Sequence, residues 1–162
     1  MALVFEQFFR AIAEQESGGN YGAVGVWVRG DRAYGKYQVM GANIPSWTKQ
    51  HYGKSLTPQQ FVNSPQAQEA VARGVLQGYW NKYGARGAAS AWYSGNPKLS
   101  ESTRSQSGGP SIKEYVDSVL AKAAKYDPGK SGSDQGGGPK MPALDSKELA
   151  EQYGFASSFL NS

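Results

Sequence analysis

The sequence predicts a mainly helical domain with one small extended region behind its first helix. Three observations carry that expectation. Apolar residues recur at helical spacing in the first, middle and last thirds of the chain up to residue 127. Two S/T-x-x-E/Q capping boxes, Thr57–Gln60 and Ser111–Glu114, mark helix starts. Valines at 24, 26 and 28 alternate, which is a strand period rather than a helical one.

The first helix is expected over residues 3–16, ending at Gly18-Gly19. At about 100° per residue, with Glu6 at the origin, Phe5, Phe9 and Ile12 fall near ~260°, ~300° and ~240°. Glu6, Arg10 and Glu14 fall between roughly 0° and 80° and read as a solvated face with i,i+4 spacing. Gly30-Asp31 signals a turn. Residues 34–40 fit either a second short strand or a helix entry. A short helix follows over 43–51, with Pro45 near its start. Thr57-Pro58 and Ser64-Pro65 each place proline at a first helical position. Ala67, Val71, Val75 and Tyr79 trace one face of a helix ending near Gly84, and residues 86–92 form a further alanine-rich helix. Residues 98–110 read as a mobile polar loop. Ile112, Val116, Val119, Leu120 and Ala123 form the stripe of the last helix, which stops at Asp127-Pro128. The expected organisation is a domain over 1–127, a Gly/Ser/Pro-rich linker over 128–143, and a short helical tail over 144–162 that fits the start of a further domain.

One residue breaks the pattern of the first helix. Glu16 falls near ~280°, in the middle of the apolar stripe. A carboxyl on a buried face tends to have a raised pKa, because desolvation disfavours its charge. A neutral carboxylic acid at neutral pH is what general acid chemistry needs. The alternative is an acid that escapes to water at a frayed helix end.

Composition narrows the chemistry. The chain has 162 residues, no cysteine and a single histidine, His51. That excludes disulfides, thiol nucleophiles and multi-histidine metal sites. His51, between lysines, is expected on an exposed loop. No cofactor or metal is implied. No apolar run is long enough to span a membrane, and the first residues lack the form of a signal peptide. The net charge of +4 favours anionic partners, but the cations are scattered and no nucleic-acid partner is expected. Four tryptophans and ten tyrosines offer faces suited to sugar rings as well as to core packing.

Four segments in order then resemble one family. Glu16-Ser17-Gly18-Gly19 resembles the catalytic Glu-Ser motif of lytic transglycosylases and goose-type lysozymes. Gly35-Lys36-Tyr37-Gln38-Val39-Met40 resembles their Gly-Leu-Met-Gln segment, with Lys36-Tyr37 in place of the apolar pair. Ala91-Trp92-Tyr93-Ser94-Gly95 resembles their Ala-Tyr-Asn-Ala-Gly segment, and Tyr115-Val116 their closing Tyr-Val. Residues 146–161 loosely resemble segments of phage tail-associated proteins.

The resemblance implies a lysozyme-like α+β domain acting on peptidoglycan glycan strands in the cell wall or periplasm. It implies a lytic transglycosylase cleaving the β-1,4 bond from N-acetylmuramic acid to N-acetylglucosamine, with Glu16 as acid and then base and a 1,6-anhydro product. Ser17, Tyr37, Gln38, Met40, Trp92, Tyr93, Asn96 and Tyr115 are the implied substrate contacts, Tyr93 or Asn96 replacing the family's asparagine. A hydrolysing muramidase would need a second carboxylate, for which Asp31 is the candidate; a turn residue bonding its own backbone is the other reading of Asp31. A non-catalytic wall-binding module of a virion is the non-enzymatic alternative. Carriage in a phage tail would make other tail proteins partners of the C-terminal segment.

Overall fold

A computed structural model of the chain describes residues 2–105 and 108–129. Helix α1 (Phe5–Ser17) leads to an extended region holding β1 (Ala33–Tyr34) and β2 (Val39–Met40), then to α2 (Ile44–Tyr52), α3 (Pro58–Val62), α4 (Pro65–Ser94) and α5 (Ile112–Ala123). Single 3-10 turns lie at Gly41–Asn43 and Pro97–Leu99. The expected fold class, mainly α with a small β region, is what the chain adopts. The expected linker beyond residue 129 and the helical tail lie outside the described residues.

Both predicted capping boxes are present. Gln60 and Glu114 amides donate to the Thr57 and Ser111 hydroxyls, while the Gln60 and Glu114 side chains accept from the cap backbone. Helix α4 is two helical legs joined at Gly84, whose φ of 70° and ψ of −176° belong to a region open only to glycine. That break is where the sequence expected one helix to end and the next to begin.

Two apolar clusters fill the domain. Phe8, Phe9 and Ile12 of α1 pack with Leu76 and Ala88 of α4 and with Ile112, Val116 and Val119 of α5. Phe8 and Phe9 are fully buried, each stabilising the fold by about 2 kcal/mol relative to exposure. The second cluster joins Val39, Ile44, Tyr52, Phe61, Val71 and Val75. Tyr37 belongs to the first and Val39 to the second, so the segment between β1 and β2 ties the clusters together.

Several expectations are corrected. Arg10 is not on a solvated face: it is buried, with its guanidinium 4.1 Å from the Tyr126 ring centroid. Glu6 pairs with Arg73 of α4 rather than along its own helix. A ring arriving from beyond α5 covers what helical periodicity alone leaves open. His51 closes α2, half-buried against Gly74, rather than lying on an exposed loop. Residues 98 and 99, placed in a loop, belong to a 3-10 turn, Pro97–Leu99.

The valine alternation is also interrupted. Val28 and Asp31 exchange backbone hydrogen bonds of 2.7 and 3.1 Å across Arg29-Gly30, both at positive φ (53° and 80°), the signature of a type I′ hairpin. The next bridge joins Val24 to Tyr34, so residues 25–27 face residues 32–33. That extra residue is a β-bulge. It leaves Val26 80% exposed instead of alternating inward.

Candidate active site

Glu16 is in the last turn of α1, which closes at Gly18 in the left-handed conformation. Its Oε1 accepts a 2.6 Å hydrogen bond from the Tyr115 hydroxyl of α5. Helices α1 and α5 pack side by side, which brings the two residues together across 99 positions of sequence. The Glu16 side chain keeps part of its surface open, yet burial pushes its pKa from 4.5 up to about 7. The Tyr115 hydrogen bond opposes that shift more weakly. No cation pairs with Glu16 among the described residues. Tyr115 is held in turn by Tyr93, stacked on it at 4.2 Å with the rings 6° apart. The Tyr93 hydroxyl donates to the Pro110 carbonyl, fixing the stack to the loop before α5. Burial and the adjacent Glu16 raise the Tyr115 phenol well above its ordinary value, so it remains a donor.

The segment 35–40 approaches from the other side. Ser17 donates a 2.6 Å hydrogen bond to the Lys36 carbonyl and accepts one from the Asn20 amide. Thus Ser17 fixes the end of α1 to the segment. Gln38 has a φ of 55°, a left-handed conformation that costs about 1 kcal/mol or more for a residue with a side chain. Its amide nitrogen donates to the carbonyls of Gly35 and Ala23. Met40, on β2, is 38% exposed.

Trp92, at the end of α4, donates its indole N–H to the Tyr37 carbonyl and stacks on Trp47 of α2 at 5.9 Å. Both indoles are partly exposed. Tyr37 itself is a core residue, 1% exposed, with its ring stacked on Phe9; what it brings to the site is its carbonyl. Asn96 is exposed and caps the 3-10 turn through its side-chain oxygen. Asp31 is bound by backbone: its Oδ1 accepts from the Arg32 amide and its Oδ2 from the Ala42 amide. That geometry is the turn reading of Asp31.

Sequence reasoning missed the support beneath this segment. Lys36, 1% exposed, reaches under it to Glu69 of α4 at 2.8 Å. The hydroxyls of Tyr21 and Tyr37 donate to the two oxygens of the same carboxylate. Beside them Gln68 accepts from the Lys36 amide and donates to the Tyr21 and Phe61 carbonyls. A Cβ on Gly35 would lie 2.3 Å from the Gln68 oxygen, so only glycine fits there. The available signal was Lys36 itself, a charge inside a motif that is otherwise uncharged.

A family model, the transglycosylase SLT domain, matches residues 2–116. The chain belongs to this family. The match takes in Glu16, the 35–40 segment, Trp92 and Tyr115 together. Membership gives the SLT domain a peptidoglycan-acting, transglycosylase-type activity. No match was found among curated proteins or among solved structures. Among the described residues of the SLT domain no helix is long and apolar enough to cross a membrane.

Proposed function

We propose that this domain is a lytic transglycosylase in which Glu16 is the acid and then the base. The observation that carries the reading is a carboxyl raised to about 7, held by one phenol and facing no cation. At neutral pH a large fraction of it is protonated, ready to donate to the glycosidic oxygen leaving the muramyl carbon. As that C–O bond breaks, the leaving N-acetylglucosamine oxygen takes the proton. The muramyl 2-acetamido oxygen closes on the anomeric carbon and relieves the developing positive charge. Glu16, now ionised, removes the proton from the muramyl 6-hydroxyl. The 6-oxygen bonds to the anomeric carbon as the acetamido oxygen departs, which gives the 1,6-anhydro end and regenerates the acid. No water is consumed.

Gln38, Met40, Trp92, Trp47 and Tyr93 are the proposed sugar contacts, and Ser17 and Tyr115 position the acid. Hydrolysis would require a second carboxylate holding a water. The engagement of both Asp31 oxygens by backbone amides favours the single-carboxylate route. The work is done at the wall or in the periplasm. Carriage in a phage tail rests on the likeness of residues 146–161 alone.

Mass spectrometry of digested glycan tests the reaction. The expected product is lighter than a reducing-end muropeptide by one water; reducing ends alone would make the enzyme a hydrolase. Intact strands after prolonged digestion, with binding retained, would leave a wall-binding module.

A further inference from the structure

The hairpin before β1 is not used by the chemistry above, and its composition is unusual for a solvent-exposed loop. Val24 is 44%, Val26 80% and Trp27 63% exposed. Trp27 and Arg32 stand next to the bridged pair Val28–Asp31, on opposite strands, and the Arg32 guanidinium lies 4.7 Å from the Trp27 ring centroid. One face of the indole is thus occupied by a cation, while most of its surface remains open. Arg32 is pinned by donating from Nε to the Gly25 carbonyl at 2.8 Å. Among the described residues no hydrogen bond is made by its two Nη groups. Guanidinium N–H pairs are the geometry that takes a carboxylate in a two-pronged bond.

The hairpin continues into the candidate site. Gly25 donates to the Ala33 carbonyl at 2.9 Å, and Ala33 pairs with Met40 across the β1–β2 ladder. A Cβ at Gly25 would lie 3.2 Å from the Gln38 side-chain oxygen and 3.5 Å from the Ala33 Cβ. Trp27 therefore follows by two residues a backbone position that touches both β1 and Gln38. The I′ turn and the bulge hold this arrangement without help from a ligand.

We propose that the 24–34 hairpin is a second binding surface for the same glycan strand, away from the bond that is cut. The open indole face of Trp27 stacks on a sugar ring, and the free Nη groups of Arg32 take a carboxylate carried by the strand's peptide substituents. The inference rests on peptidoglycan being the substrate but not on Glu16 being the acid. Its chemistry selects a carboxylate-bearing amino-sugar polymer over a plain one.

The test is co-sedimentation of the full chain carrying Glu16→Gln, which removes turnover from the measurement. Three probes are used: purified sacculi; insoluble chitin, which has a 2-acetamido sugar backbone without carboxylates; and anionic phospholipid vesicles. Trp27→Ala is expected to weaken binding to sacculi and chitin by roughly five- to tenfold. Arg32→Gln should weaken sacculus binding by a similar factor and leave chitin binding unchanged. Trp27→Phe should restore most of the loss, and unchanged thermal midpoints confirm that the hairpin's surface rather than the fold was altered. Sacculus binding equal to that of the parent in Trp27→Ala and Arg32→Gln overturns the proposal. So does a loss confined to anionic phospholipid vesicles, which would make the hairpin a lipid contact. Failure of the acid assignment shows separately, as muropeptide released by the Glu16→Gln parent.

Discussion

Glu16 and Glu69 are two carboxylates treated in opposite ways. Each accepts from tyrosine hydroxyls: Tyr115 at Glu16, Tyr21 and Tyr37 at Glu69. Glu69 also receives the Lys36 ammonium at 2.8 Å, and Glu16 receives no cation. Glu69, with its cation and two phenols, holds the 35–40 segment to α4. A buried carboxyl without a cation is pushed toward the neutral form and becomes a proton source. Lys36 is the partner that Glu69 has and Glu16 lacks.

That contrast can be broken by substitution. The largest effect is expected at Glu16. Glu16→Gln should lower kcat for muropeptide release by about a thousandfold or more, with no loss of thermal midpoint at neutral pH. Retained turnover would show that the acid is elsewhere. The opposite profile is expected at Lys36. Lys36→Met leaves the Glu69 charge without its cation and should cost about 3 kcal/mol in urea denaturation, since breaking a buried pair exposes the penalty of the remaining charge. A neutral outcome would mean that the two phenols suffice to hold Glu69.

Tyr115→Phe sharpens the comparison with a smaller effect. Its hydroxyl lowers the Glu16 pKa, so its removal should move the alkaline limb of the kcat profile to higher pH while activity falls roughly tenfold. An unmoved limb would assign that limb to another group.

The last effect is on the pH dependence of stability. The folded-state pKa of Glu16 is above its unfolded value, so its contribution is complete below pH 4.5 and is lost as pH rises through about 7. The stability difference between parent and Glu16→Gln should therefore drift against the parent across that window, by about 3 kcal/mol at most. Parallel curves would show that the carboxyl is solvated.

How far these features were legible depends on the range of the interactions that make them. The capping boxes of α3 and α5, the break at Gly84 and the burial of Glu16 are local or periodic, and each is visible within one helix. Arg10 was misplaced because the ring covering it, Tyr126, is 116 positions away. Lys36 was noted only as a departure from the motif, because its partner Glu69 comes from α4, 33 positions further on. The bulge that exposes Val26 depends on cross-strand register, which alternation in one strand does not contain. The candidate site is thus half readable: the Glu16 carboxyl is placed by helix periodicity, but the floor of Lys36 and Glu69 exists only after α4 has packed.

The break at Gly84 has a consequence for how the two legs of α4 are aimed. The first leg of α4 carries Glu69 and the second carries Trp92. A single backbone pair of angles, permitted to glycine alone, sets the direction of one leg against the other. A side chain there would meet no neighbour but would be strained at that φ, and relief of the strain would turn the Trp92 leg against the Glu69 leg. The angle at Gly84 thus sets where the Trp92 indole stands over the Tyr37 carbonyl, while the other leg holds the Lys36–Glu69 pair beneath it.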